Sequence, residues 1–407
     1  MTSGAVLPSI FAMVTLAASP HVLDLGGQIA SEHLFMILTL GALGMLCLHL
    51  EGNRGGRWLW ASATLAGLAI LTRYAGLALV ATTFVLLLWQ QKGRSERWRE
   101  AVLASALALG PLLLHAIRNH LLHGNAVNRE FGFKDIPWHK FDHGFQVMMT
   151  WWAPQSLVSF PAALLFVAVV ATAWIWLISR EAYPTEPSRR RTVVALRVLG
   201  VYSSLYVGFI LGCMMFADAW IPFDHRILFP VQAAMTVALA GAAALIVGTR
   251  FPWRLATAAF LAALLCLNLR RGWLISGDYG AKGIGYAAHV NHATSFAEQV
   301  RRLPSQALLI SNRPELAYCY TQRHIEGLPF HFDYLNARPA RDLEGMLAAL
   351  AAKASLATDA FVIAFPEVSG DCATPEALFR HAQFAKVWEN SGGRIWRRTS
   401  LTPTAVP

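Results

Sequence analysis

Glu32 opens an apolar run that continues to Leu50, and Arg73 closes another that begins at Trp58. Asp224, His225 and Arg226 stand in a row just ahead of a third, and Asp24 lies in the stretch before Glu32. Carboxylates and imidazoles move protons, and guanidiniums hold anions. Ionisable groups at the margin of a bilayer are costly, so they mark a site. Two plainer readings compete with that one. Arg73 could snorkel to lipid head groups from a helix end, and the acid, imidazole and guanidinium at 224–226 could form a purely structural ion pair.

The elements that must position these groups are read from composition. The chain has 407 residues, 55% of them hydrophobic and only 14% charged, which is the profile of an integral membrane protein. Its net charge of +10 sits in short loops between apolar runs, as an orientation signal does, so nucleic acid is not an expected partner. Of five cysteines, Cys47, Cys213 and Cys266 fall in apolar segments and read as small buried hydrophobes. Cys319 and Cys372 fall in the tail and could pair if it is extracytoplasmic.

Apolar runs at Ala5–Ser19, His33–Leu50, Trp58–Thr72, Tyr74–Gln90, Ala101–Ile117, Leu157–Ile178, Val193–Ala217, Ile227–Val247 and Trp253–Leu269 predict about nine spans. The first lacks a positively charged start and reads as a retained helix rather than a signal peptide. Lys and Arg concentrate in four loops, Glu51–Arg57, Gln91–Glu100, Arg180–Thr192 and Gly248–Arg254, which places these loops and the N-terminus in the cytoplasm. The intervening connections and everything after Arg271 then face outward, to the periplasm or the cell exterior. The stretch from Trp58 to Gln90 has basic flanks on both sides, so it must cross twice or not at all, and a hairpin with Arg73 and Tyr74 at its outer tip satisfies both constraints.

The outer segment from Arg118 to Gln155 mixes polar residues with Phe131, Phe133, Trp138, Trp151 and Trp152, as an ordered interfacial segment would. Within it His120 and His123, or His139 and His143, have a spacing that a metal could use, but no Cys or paired carboxylate completes a ligand set. No cofactor is therefore assigned, and a divalent metal stays open. From Gly272 the composition becomes an ordinary globular mix. Helices are predicted at Thr294–Arg302, Pro314–Thr321, Asp342–Lys353 and Pro375–Ala382. Strands are predicted at Ala307–Ser311 and Ala360–Phe365, with a closing hairpin of Ala385–Glu389 and Arg394–Arg398. The expected architecture is an α-helical multi-spanning membrane domain over residues 1–271, followed by a small extracytoplasmic α/β domain over 272–407. The tail carries no Walker loop, dinucleotide turn or nucleophile elbow.

Several short motifs in this order resemble a family. They are Ser31-Glu32-His33-Leu34-Phe35, Gly67-Leu68-Ala69-Ile70-Leu71-Thr72-Arg73, Arg118-Asn119, and Asp224-His225-Arg226 leading to Pro230. With the tail motif Ser311-Asn312-Arg313-Pro314 and Tyr318, Thr321 and Arg323, they look like the multi-spanning glycosyltransferases of the C superfamily. The nearest likeness is to the family 39 and protein-mannosyltransferase-like group with its lipopolysaccharide-modifying branch. The resemblance implies transfer of a sugar from a polyprenyl-phosphate carrier to a lipid, glycan or protein acceptor on the outer face. It implies Glu32 at the catalytic cavity, with Arg73 and Arg226 on the carrier phosphate. Tyr74, Arg118, Asn119, Asp224 and His225 complete the expected substrate-binding set. The family's principal acid lies in a first outer loop, two spans ahead of the helix that Glu32 begins. The resemblance therefore implies that this chain lacks that loop, with Asp24 as the carboxylate that could substitute. A lipid-linked-sugar flippase and a non-catalytic membrane scaffold are the alternatives.

Overall fold

The computed structural model describes residues 3–26, 31–52, 56–89, 94–124, 126, 131–152, 161, 186–219, 221–247, 251–283, 294–333, 338–366 and 372–399. The chain divides into two compact units, Met1–Gly277 and Asp278–Pro407. The first is helical: α1 (Ser3–Ala17), α2 (Pro20–Gly26), α3 (Glu32–Leu50), α4 (Arg57–Thr72), a 3-10 turn (Tyr74–Gly76), α5 (Leu77–Trp89), α6 (Arg94–His123) and α7 (Trp138–Thr150). It continues with α8 (Pro187–Phe216), α9 (His225–Val247) and α10 (Phe251–Lys282).

Five of the described helices, α3, α6, α8, α9 and α10, are long and apolar enough to cross a membrane. About nine spans are not reached. At 15 and 16 residues, α1 and α4 are shorter than a crossing of ~20 residues requires, and the helix over Tyr74–Trp89 is short for the same reason. The expected span Leu157–Ile178 lies outside the described residues. At the other end of the unit, α10 continues to Lys282, well past the apolar run that ends at Leu269.

Helices α3, α4, α5, α6, α8 and α9 share one core, with Phe35, Leu46, Leu59, Ile70, Leu87, Tyr202, Tyr206 and Leu228 buried in it. Large apolar side chains also remain exposed on their other faces, among them Ile37, Leu71, Leu114 and Leu121, as helices facing hydrocarbon present them. Small residues set the closest approaches. A Cβ on Gly67 would stand 3.0 Å from the Ala108 carbonyl oxygen, which draws α4 against α6. Ser62 Oγ donates to the Ala42 carbonyl at 2.8 Å and ties α4 to α3.

At Arg73 the helix breaks sharply. Arg73 leaves the helix in an extended conformation (φ −154°, ψ 133°), while its N–H still caps α4 by donating to the Ala69 carbonyl. The 3-10 turn then reverses the chain into α5. Gly76 sits so close to α4 that a Cβ would stand 2.7 Å from Ile70 N, hence the absence of a side chain there.

The second unit is an α/β layer structure. Its five-stranded sheet has the order β2 (Glu326–Gly327), β1 (Leu308–Ser311), β5 (Ala360–Ala364), β7 (Gly393–Arg398), β6 (Phe384–Asn390). β1 runs parallel to β2 and β5, β7 antiparallel to β5, and β6 with β7 forms the expected hairpin. A two-stranded ribbon pairs β3 (Phe332–Asp333) with β4 (Arg338–Pro339). Strand alternation splits the interior into two cores. Leu309, Phe361, Ile363 and Ile395 pack with α11 (Ser295–Arg301) and α12 (Pro314–Thr321) on one face. Ile310, Val362 and Trp396 pack with α13 (Leu343–Leu356) and α14 (Pro375–Phe379) on the other. Thr294 Oγ1 accepts from Ala297 N and Asp342 Oδ1 from Gly345 N, which fixes the starts of α11 and α13. Cys319 and Cys372 are both free thiols.

Candidate functional site

Three helix termini bring the charged residues together. Glu32 occupies the first turn of α3, where the positive end of the helix dipole favours a carboxylate. Arg73 sits at the break after α4, and Arg226 in the first turn of α9. Arg73 Nη1 makes an ion pair with Glu32 Oε1, and Arg226 Nε approaches the same oxygen at 3.6 Å. The Glu32 side chain is only 8% exposed, against 21% for Arg73 and 43% for Arg226. One carboxylate is thus held nearly out of water and paired with two more exposed guanidiniums. The snorkelling alternative for Arg73 does not describe this geometry, since its guanidinium turns inward to a buried acid.

The Nε of Arg226 is itself buried and makes no hydrogen bond among the described residues. At 3.6 Å its relation to Glu32 is Coulombic, so this N–H has no hydrogen-bond acceptor among the described residues. Beneath the cluster, Tyr206 of α8 is buried and donates its hydroxyl to the Ile227 carbonyl at 2.8 Å, pinning the first turn of α9. Sequence reading did not single out Tyr206. Its signal was an i, i+4 pair with Tyr202 inside an apolar run, and both tyrosines prove buried, with ring centroids 5.7 Å apart.

Beside this cluster, His225 Nε2 and Asp24 Oδ2 are 3.1 Å apart, which joins α9 to α2. Both side chains keep partial access to solvent, at 34% and 29%. Asp224 works differently from the expected substrate contact. Its Oδ1 accepts from the backbone N–H groups of Arg226 and Ile227 at 3.0 and 3.1 Å, so it caps α9 and aims the residues that follow.

The other expected residues stay apart. Tyr74 is exposed. Arg118 and Asn119 lie near the end of α6; Arg118 is exposed, and Asn119 Nδ2 meets His115 Nε2 at 3.1 Å. Among the described residues neither makes a hydrogen bond or ion pair with Glu32, Arg73 or Arg226. The contact of Gly67 with Ala108 and Pro111 sets the register of α4 against α6. No group of three or more His, Cys, Asp or Glu side chains among the described residues is arranged to hold a metal ion.

In the second unit the motif from Ser311 to Pro314 is structural. Asn312 exchanges two 3.0 Å hydrogen bonds with the backbone of Phe365, Ser311 Oγ accepts from Arg313 N, and Arg323 donates to the Pro304 and Leu303 carbonyls. A cavity of about 500 Å³ lies beyond the ends of β1 and β5, lined by Asn312, Phe365, Glu376, Arg394 and Trp396 among others. Its polar lining is largely engaged, as in the 2.6 Å pair of Arg394 with Glu389.

No family model, curated protein or solved structure matches this chain. The site therefore rests on its own geometry. Its elements are two guanidiniums paired with one buried carboxylate, one of them with an Nε that makes no hydrogen bond among the described residues, and an adjoining imidazole–carboxylate pair. Guanidiniums grouped in this way are suited by charge to an oxyanion.

Proposed function

We propose that this protein is a membrane glycosyltransferase that moves a sugar from a polyprenyl-phosphate carrier to a lipid, glycan or protein acceptor on the outer face. The observation that carries the reading is the convergence of Arg73 and Arg226 on Glu32 at three helix mouths, with no hydrogen-bond acceptor for the Arg226 Nε among the described residues. A glycosyl phosphate leaves as a phosphate, and its C–O bond breaks as negative charge builds on the leaving oxygen. Fixed guanidiniums stabilise that charge without reorganising, and they do so most strongly where water is excluded. Glu32 holds the two cations in register before the carrier arrives, since two guanidiniums left to themselves would repel. The apolar helices around the site suit a ligand whose other end is a hydrocarbon chain. Position also favours an enzyme over a flippase, because the charges sit at helix ends rather than at mid-span.

The test is a transfer assay on the purified full chain in liposomes. It uses radiolabelled polyprenyl-phosphate hexoses and pentoses, with extracted envelope lipids and glycans as acceptors. Label passing to an acceptor, and lost in Arg73→Met and Arg226→Met, supports the enzyme. Carrier that crosses the bilayer without transfer, or no turnover of any carrier, overturns it.

A further inference from the structure

Glu32 is expected at the catalytic cavity, yet its Oε1 is engaged by both guanidiniums. Protonating it would dismantle the pairings that hold Arg73 and Arg226 in place, at the moment the leaving phosphate needs them. A second acid–base pair, His225 with Asp24, adjoins Arg226. His225 precedes Arg226 in the same first turn of α9, so the two Cα atoms are ~3.8 Å apart. Its Nε2 meets Asp24 Oδ2 at 3.1 Å, and both side chains are partly open to solvent, where an acceptor hydroxyl would enter. The turn that carries them is fixed three times over, by the Asp224 cap, by Tyr206 on the Ile227 carbonyl, and by Asp24 itself.

We infer that His225, oriented by Asp24, takes the proton from the acceptor hydroxyl, while Glu32 serves as the anion that positions the two phosphate-binding arginines. The inference rests on the glycosyltransferase reading above. In the step, the acceptor oxygen forms a bond to the sugar's anomeric carbon. The bond from that carbon to the phosphate oxygen breaks, and its electron pair leaves with the polyprenyl phosphate. The hydroxyl proton passes to the imidazole, and Asp24 offsets the positive charge that results. The imidazolium then releases its proton to water. His225 is the catalytic residue in this scheme, and Asp24 and Glu32 are positioning residues.

The experiment measures kcat and KM for the carrier that the wild-type chain turns over, in His225→Ala, His225→Gln, Asp24→Asn and Glu32→Gln, with and without added imidazole. Expected is a loss of kcat of roughly 10²- to 10⁴-fold in both His225 variants, with KM within about threefold of wild type. Imidazole should restore part of the rate in His225→Ala. Asp24→Asn should lower kcat less, at unchanged KM, whereas Glu32→Gln should raise KM as its arginines lose their register. His225 variants with wild-type kcat, or with a raised KM alone, or His225→Ala unresponsive to imidazole, overturn the inference while leaving the glycosyltransferase reading in place. A wild-type chain that transfers nothing removes both together.

Discussion

The pairing of Glu32 with Arg73 can be tested through stability without assuming any activity. Replacing Arg73 with Met keeps most of the side-chain volume and strips the nearest cation from a carboxylate that is 8% exposed. Breaking a buried pair in this way costs about 3–5 kcal/mol, because an uncompensated charge stays behind. Here Arg226 remains at 3.6 Å and offsets part of the loss, although at 43% exposure solvent screens its charge. The expected cost is therefore about 2–3 kcal/mol. Adding Glu32→Gln should recover much of it, since the charge that needed a partner is then gone. A double-mutant cycle on Glu32→Gln and Arg73→Met, read from chemical unfolding in detergent micelles, should yield a coupling energy of about 1–3 kcal/mol. A coupling below about 0.5 kcal/mol, the range of an exposed ion pair, would refute the claim that these groups meet out of water.

Three further outcomes follow from local geometry. Gly76→Leu should unpack the reversal after α4, because even a Cβ there would stand 2.7 Å from Ile70 N; cysteine accessibility at position 73 in an Arg73→Cys background would report the displaced turn, and unchanged labelling would contradict the tight approach. Asp224→Ala should destabilise α9 by about 0.5–2 kcal/mol through loss of its cap, seen as faster amide exchange at Arg226 and Ile227, while Asp224→Asn should be close to neutral. In the second unit, the Lys353 ammonium and His324 imidazole beside Glu326 hold its carboxyl below the ordinary carboxylate range. A depressed acid contributes stability above its unfolded pKa and loses it as pH falls through the folded value. Exchange protection of α13 and β2 should therefore weaken on acidification below about pH 4.5, by no more than a few tenths of a kcal/mol, and Glu326→Gln should remove that pH dependence.

How far the sequence announced this structure varies with the range of the signal. The tail was legible because its signals are local. Pro314 at a first helical turn, Thr294 and Asp342 as caps, and the Asn390–Gly393 connection each fix an element within a few residues. The two-residue strands β2, β3 and β4 were not legible, since so short a stretch shows no alternation. The extension of α10 was missed because the end of an apolar run was taken for the end of a helix. Past Leu269 the helix continues through polar sequence, supported by the Lys282–Asp278 pair at 2.6 Å.

The site divides along the same line. Charge patterning and hydropathy identified Glu32, Arg73 and Arg226 as groups at helix mouths, but depth along a helix says nothing about which mouths adjoin. That depends on how α3, α4 and α9 pack, through contacts such as Ser62 on Ala42. Asp224 was grouped with the site for its charge. Its place directly before a helix start was the available sign that its carboxylate would be spent on backbone N–H groups. Among the described residues, Arg118 and Asn119 share none of the cluster's contacts.

The most direct measurement of the central claim is the binding of polyprenyl monophosphate to the purified full chain in nanodiscs, with polyprenyl alcohol as the uncharged control. The account predicts saturable binding of the phosphate and little of the alcohol. It also predicts at least a tenfold loss of phosphate affinity in the Arg73→Met, Arg226→Met double variant, or about 1.4 kcal/mol. Equal affinity for phosphate and alcohol, or a double variant that binds as wild type does, would contradict it.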